Sequence, residues 1–389
     1  MNNKTPYNKK ENCCGCRSCE LICPVNAISM ITDEEGFLYP KINSDLCIDC
    51  GKCRKACHFL KKEKPTLPKK PKSFVCTNKN LTARIRSRSG GVFVALSDYI
   101  LALGGFVYGA GLTINFDAQH SKACSPLQRD KFCGSKYVQS DTLDTYELVY
   151  KDLLNSRYVL FSGTACQIGG LYHYLSSKGL HKYFFNFLIT CDIVCHGVVS
   201  PKIWRDNLQY IENQFGKIQA VNFRDKDFGW NSHVETYDIN NEKITSTYYT
   251  SIFYEHVALR PSCYNCPYTS IEREADITLA DAWGIAKQFP NWNDNQGHSL
   301  VLINTEKGEF FYRKILDTII SQEVDLNNFM QPNLEKATLY PKNRSVFWKL
   351  YYKKGYYYVA RKCEKRQRNT KKMMKIKAFF ARILRKFKG

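Results

Sequence analysis

The feature that most constrains this 389-residue chain is a cysteine pattern that occurs twice. Residues 11–30 read ENCCGCRSCELICPVNAISM, and there Cys13, Cys16, Cys19 and Cys23 follow the spacing C-x2-C-x2-C-x3-C. Cys47, Cys50, Cys53 and Cys57 repeat it, each 34 residues beyond its counterpart. Three thiolates this close wrap one side of a cubane, while the fourth points away and ligates a second cluster. The spacing therefore assigns Cys13, Cys16, Cys19 and Cys57 to one 4Fe-4S cluster, and Cys47, Cys50, Cys53 and Cys23 to another. Pro24 turns the chain out after the first copy; His58 stands at the matching place in the second, which weakens that turn but removes no ligand. Cys14 is an extra member outside the pattern. Structural zinc uses separated C-x2-C pairs rather than two four-cysteine runs, so iron fits better.

Residues 8–60 thus resemble a bacterial dicluster ferredoxin, which implies electron transfer without naming the partners. Eighteen cysteines would suit either a disulfide-linked secreted protein or an intracellular metalloprotein. The opening residues MNNKTPYNKKEN are polar and carry no apolar export signal, so the expected compartment is the reducing cytoplasm. Residues 91–110 are long and apolar enough to suggest a membrane span, but Asp98 sits in the middle and Gly104–Gly105 interrupts them. They are expected to form a buried helix, a glycine turn and a short strand. The net charge of +21 invites nucleic acid or an anionic membrane as partner. Much of that charge lies in residues 61–72 and after Lys353, and thiolate-bound clusters would offset part of it, so nucleic acid is disfavoured.

Beyond the ferredoxin, KKEKPTLPKKPK at 61–72 reads as a stiff, charged linker. Ser89, Gly90 and Gly91 open a helical apolar run, a place where backbone amides can hold phosphate. In SRYVLFSGTACQIGGL a strand over 158–161 leads through a turn at 162–164 to a helix from Gln167, which places Cys166 at a helix start that favours thiolate. In FFNFLITCDIVCHGVVSP a second apolar strand ends at Cys195, His196 and Gly197. Were these strands neighbours in an α/β sheet, both cysteines would meet at its carboxyl edge. Cys263 and Cys266 form a lone C-x2-C pair, half a site, with Cys166 and Cys195 as candidate partners. No nicotinamide fingerprint, P-loop or nucleophile elbow occurs.

The segments SGGVF, GSKYVQS, GTACQIGGL, DIVCHGVVSP, FRDKDFGW, RPSCYNCPY and ADITLADAWGI occur in this order over residues 73–340. Together they resemble the beta subunit of coenzyme F-420 hydrogenase/dehydrogenase, with its N- and C-terminal domains. The resemblance implies FAD, a third 4Fe-4S cluster, and exchange of reducing equivalents with a deazaflavin or another small acceptor. It places the third cluster on Cys166, Cys195, Cys263 and Cys266, with Cys191 in reserve for Cys195. It places FAD against Ser89, Gly90, Gly91, Ser135 and Lys136. The chain departs from the family in GTACQ for GTPCQ and in LADAWG for LGDFWG, where Ala280 and Ala282 are expected to alter a pocket wall.

The expected architecture is a multidomain α+β and α/β chain. A dicluster ferredoxin occupies 1–60 and a linker 61–72. A flavin-binding α/β part follows at 73–200, a part with the C-x2-C pair at 201–345, and a basic amphipathic tail at 346–389. The expected function is an iron-sulfur flavoprotein oxidoreductase, served by a redox partner protein or a small acceptor. The alternative is a non-catalytic carrier or partner subunit for a polysaccharide-related reductive enzyme. No catalytic acid or base is assigned; His196 is expected to make a structural hydrogen bond. In the tail, Met373, Ile376, Phe380, Ile383 and Phe387 share one helical face while Lys372, Lys375, Arg382, Arg385 and Lys386 crowd the rest. Such a helix suits the anionic inner face of a membrane.

Overall fold

The computed structural model describes residues 6–61 and 70–386, with side chains throughout except at 61 and 371–386. Its strands are β1 (Ile28–Thr32), β2 (Leu38–Ile42), β3 (Lys72–Asn78), β4 (Phe106–Leu112), β5 (Ala118–Ala123), β6 (Val159–Thr164) and β7 (Leu188–Ile193). They continue with β8 (Ala220–Asn222), β9 (Glu235–Ile239), β10 (Glu242–Ser246), β11 (Ile277–Asp281), β12 (Ser299–Ile303) and β13 (Ile319–Glu323). The chain is a mixed α/β molecule with a small cysteine-rich module at its N-terminal end.

In that module an antiparallel hairpin, β1 and β2, separates the two cysteine runs. The duplication extends to the backbone. Gly15 and Asp49 occupy equivalent places with φ of 74° and 51°, and Arg17 and Gly51 do so with 63° and 69°. A left-handed residue between successive cysteines reverses the loop, so neighbouring thiols converge instead of alternating.

The main sheet has eight strands in the order β13-β3-β12-β11-β7-β6-β4-β5. Its middle strands β11, β7, β6 and β4 run parallel, flanked by antiparallel strands. Along β6, Leu160 faces a core with Val92, Leu96 and Ile100 of the helix Val92–Ala102, whereas Val159 and Phe161 face Ile168 and Leu171 of the helix Ala165–Ser177. Helices cover both faces, which is why these strands read as unbroken apolar runs. Strands from both 73–200 and 201–345 build this one sheet. Residues 91–110 form a helix to Ala102, a turn at Gly104 and Gly105, and then β4. Among the described residues, no helix is long and apolar enough to cross a membrane.

A second layer joins β8, β9 and β10 to the helices Pro201–Phe215 and Tyr248–Tyr254 around Trp204, Tyr237 and Tyr249. The C-terminal helix enters the same core through Phe347, Trp348, Tyr351, Tyr356, Val359, Ala360 and Cys363. The tail expected from residue 346 therefore begins with a stretch of core. Its aromatic side chains read as a separate tail only because their partners lie about a hundred residues or more away. Gly355, at φ 79°, breaks this helix into two. The amphipathic face read at Met373, Ile376, Phe380, Ile383 and Phe387 falls outside the residues whose side chains are described.

Candidate functional site

Four groups of side chains run from the surface to the carboxyl edge of the main sheet. The outermost holds Cys47, Cys50 and Cys53. Cys50 is exposed, and Cys47 and Cys50 both act to raise the Cys53 thiol, after its burial.

Inward of these, Cys13, Cys16, Cys19 and Cys57 line one cavity together with Cys14 and His58. Burial, then the nearby Cys16 and Cys13, pushes the Cys57 thiol up to about 12. Cys19 is raised by burial and then by Cys16, Cys13 and Cys57. Thiols that resist ionisation because they crowd one another suit a cluster, whose cations supply the missing charge. Cys23 accepts a hydrogen bond from the Ala27 amide at 3.2 Å.

The third group is Cys166, Cys195, Cys263 and Cys266. β6 and β7 are parallel neighbours, which delivers Cys166 and Cys195 to one edge. The helix carrying Cys166 starts at Ala165 and not at Gln167, because Thr164 and Gln167 form a capping box. Burial and then Cys166 push Cys195 up to about 11 and Cys266 up to about 12. Cys263 is raised by burial and then by Cys195 and Cys266. Four half-buried cysteines whose thiols sense one another are a donor set that fits iron or zinc. Cys191, the reserve, is instead fully buried in mid-strand among Leu160, Ile189 and Ile277. Cys166 itself is lowered to about 7, first by the neighbouring Cys14 and then, against burial, by the Thr164 hydroxyl at the helix start, 3.1 Å from its sulfur.

Cys14 lies between the second and third groups: its sulfur is within 4.8 Å of that of Cys16, and Cys16 and Cys166 both act to raise its thiol. His58 flanks it, with Nε2 3.5 Å from the Cys14 sulfur and Nδ1 2.5 Å from the Tyr268 hydroxyl. Gly169 and Gly170 make this approach possible. A methyl on Gly169 would lie 2.1 Å from the Tyr268 oxygen, and one on Gly170 would lie 3.0 Å from the Cys16 sulfur.

Two buried arginines hold the frame. Arg260 donates to the carbonyls of Cys13 and Leu38, each at 2.8 Å, and to Gln139 at 2.9 Å. Arg273 ties the loop of Cys266 to the strand before Cys195. It bonds Asp192 at 2.9 Å and the carbonyls of Tyr268 and Ile193, both at 2.9 Å. Neither arginine stands out in the sequence, since nothing local marks a residue whose partners are remote. Further contacts dock the module: Ser18 to the Gly170 carbonyl at 2.8 Å, Thr142 to that of Cys16 at 3.1 Å, and Arg344 to Glu35 at 2.7 Å.

The fourth group lies where β3 ends and β12 begins. Ser89 donates to the His298 carbonyl, and the Gly90 amide to the Ser299 hydroxyl at 3.0 Å. A methyl on Gly90 would sit 2.2 Å from the Cys76 carbonyl oxygen, so this glycine serves the close passage of β3. Gly91, at φ 80°, starts the helix Val92–Ala102. Lys136 donates to the carbonyls of Lys131, Cys133 and Gly134 at 2.9–3.2 Å, and burial lowers its pKa to about 8. Ser135 is half-buried in the same loop. Beside Ser89 stands a cationic cluster that the sequence reading missed. Arg224 bonds Asp281 at 2.7 Å, and its guanidinium lies 5.0 Å from the ring centre of Trp283. Lys226 donates to the carbonyls of Arg84 at 2.8 Å and Ser89 at 3.3 Å. Arg88 donates to the Trp230 carbonyl. FRDKDFGW and the RSRSGG run carry these residues, so the basic side chains of these two motifs were the available signal. Ala282 packs in the core with Val75, Ile285 and Leu300, and Trp283 next to it stacks on Trp230 at 4.9 Å. The His196 carbonyl accepts from Thr338 at 2.6 Å, and burial lowers the pKa of its ring.

Residues 156–328 match the family model for the C terminus of the coenzyme F-420 hydrogenase/dehydrogenase beta subunit, and residues 12–60 match that for a 4Fe-4S dicluster domain. No curated protein matches the chain. A similar solved chain comes from the xenon-derivatised F-420-reducing NiFe hydrogenase complex of Methanosarcina barkeri. It is 15% identical, covers 74% of this chain and 92% of its own length, and superposes with a TM-score of 0.49. The chain thus carries a region similar to the C terminus of that beta subunit and, ahead of it, a region similar to 4Fe-4S dicluster domains.

Proposed function

We propose that this chain is an iron-sulfur flavoprotein oxidoreductase. In this reading electrons pass between a redox partner, two ferredoxin-type clusters, a third cluster on Cys166, Cys195, Cys263 and Cys266, and FAD, and thence to or from a deazaflavin or another small acceptor. One observation carries the reading: the thiol groups are ordered in space, from exposed Cys50 through the Cys13 cavity and Cys14 to the sheet edge. Clusters exchange single electrons and a flavin exchanges either one electron or a hydride, so such groups at this edge would join the two kinds of chemistry.

The residues have separable tasks. Cys13, Cys16, Cys19 and Cys57 would hold one cluster, and Cys47, Cys50, Cys53 and Cys23 the other. Arg260 and the glycine pair hold the module against the sheet edge, and Arg273 sets the spacing of Cys195 and Cys266. Cys14, His58 and Tyr268 stand between the thiol groups, linked to one another through the His58 ring. Ser89, Gly90, Gly91, Ser135 and Lys136 are assigned to FAD. The surplus of buried positive charge next to Ser89 fits a cofactor that carries phosphates.

The test is anaerobic iron, zinc and flavin analysis of the full chain, alongside Cys263→Ser. About twelve irons, four for each cubane, and one FAD are expected, with about four irons lost in the variant. Stoichiometric zinc, or about eight irons unaffected by Cys263→Ser, rejects the third cluster. Absence of flavin favours a non-catalytic carrier.

A further inference from the structure

The Arg88 side chain is 11% exposed, and its Nε and Nη1 have no hydrogen-bond partner among the described residues. Its nearest carboxylate, Asp281, is 3.8 Å away and already accepts from Arg224 at 2.7 Å. Arg84 is neutralised separately, by a two-pronged pair with Asp294 at 2.5 and 2.7 Å. Four cations, Arg84, Arg88, Arg224 and Lys226, thus face two carboxylates, Asp281 and Asp294. Burying a guanidinium without a partner is costly, and an excess of like charge in one place adds to the cost. The strain shows in the neighbours. Burial, then Arg88 and Arg84, pushes Lys226 down to about 7, and burial with nearby Arg224 lowers Arg88 to about 10.

We propose that Arg88, Arg224 and Lys226 form an anion-binding site at the sheet edge for the phosphate of a phosphorylated ligand. Arg88 has N–H bonds without an acceptor at both Nε and Nη1, each of which can donate to a phosphate oxygen, and the excess of cations over carboxylates suits an anionic phosphate. The phosphate belongs either to a dinucleotide cofactor or to a substrate. The proposal stands on these side chains and deepens the flavin reading, since Arg88 directly precedes the Ser89 turn.

The experiment uses the full chain, prepared without oxygen, in flavin-free and FAD-treated forms. Sodium phosphate and pyrophosphate are titrated against sodium chloride at matched ionic strength, with tryptophan fluorescence and thermal unfolding as readouts. Saturable binding with a raised Tm is expected for wild type. Arg88→Gln should weaken it at least tenfold while leaving the unliganded Tm no lower, because the buried charge is gone; Arg88→Lys should retain part of it. FAD that competes with phosphate identifies the cofactor as the source; phosphate binding that persists in FAD-loaded protein identifies a substrate. Wild type that takes up no FAD yet binds phosphate supports the anion site and sinks only the flavin reading. A response no larger than that to chloride, or unchanged binding by Arg88→Gln, overturns the proposal.

Discussion

The Arg260 guanidinium lies 3.6 Å from the Cys13 sulfur and bonds the Cys13 carbonyl at 2.8 Å. Arg260 is fully buried, three residues before Cys263, and stacks over Tyr39 at 4.2 Å. One cation therefore serves both the ferredoxin module and the loop of the third thiol group. Arg260→Gln should cost about 1–3 kcal/mol, since the carbonyls of Cys13 and Leu38 stay buried and lose their donor. Protease release of the N-terminal module should follow. The midpoint potential of the inner cluster should fall by tens of millivolts, ~59 mV being a tenfold change for one electron. Arg260→Lys should keep the potential closer to wild type, yet still loosen the module, because it lacks the fork. An EPR-monitored redox titration with unchanged potentials in both variants would count against this role.

Gly170→Ala tests the close approach of module and helix. In an unobstructed helix the change stabilises by about 1 kcal/mol. Here the added methyl meets Cys16 Cβ at 2.9 Å and its sulfur at 3.0 Å. A net loss of about 1–3 kcal/mol is expected from overpacking, read by chemical denaturation. A stabilised variant with full iron content would show that the contact has room to spare.

Cys57→Ser should damage the cluster of Cys13, Cys16 and Cys19, whose cavity Cys57 shares, and spare that of Cys47, Cys50 and Cys53. EPR of the reduced protein separates the two. Loss of the Cys47 signal instead would reverse the pairing of distant ligands.

Lys226 gives a pH signature. Its folded pKa of about 7 lies below the ordinary 10.5, first through burial and then through Arg88 and Arg84. The unfolded chain therefore binds more protons between these values, and stability from this group rises with pH from about 7 to about 10.5. Lys226→Met should flatten that rise by on the order of 1–2 kcal/mol, discounted for partial exposure. Saturating phosphate should flatten it as well, by holding the ammonium charged. Parallel stability curves for wild type and variant across this range would contradict the assignment.

Much of this was legible in local patterns. The 34-residue repeat, the strands ending near Cys166 and Cys195, and the helix, turn and strand of residues 91–110 all rest on spacing among contiguous residues. The helix start at Ala165 was missed by two residues because a capping box outweighed the reading of residues 162–164 as a turn. The boundary at 346 was missed because Phe347, Trp348 and Tyr351 find their partners in the helix Pro201–Phe215 and its neighbours.

The sequence by itself determined which residues can bind metal and in what local geometry, because thiol spacing and left-handed turns act over a few residues. Only the tertiary structure decided what stands between those groups. Cys14 senses both Cys16 and Cys166, Arg260 spans Cys13 and Gln139, and Arg88 is left with two buried nitrogens, Nε and Nη1, without an acceptor. The physical reason is that a charge or thiol is defined by everything within a few ångströms, and here those neighbours come from segments more than a hundred residues apart.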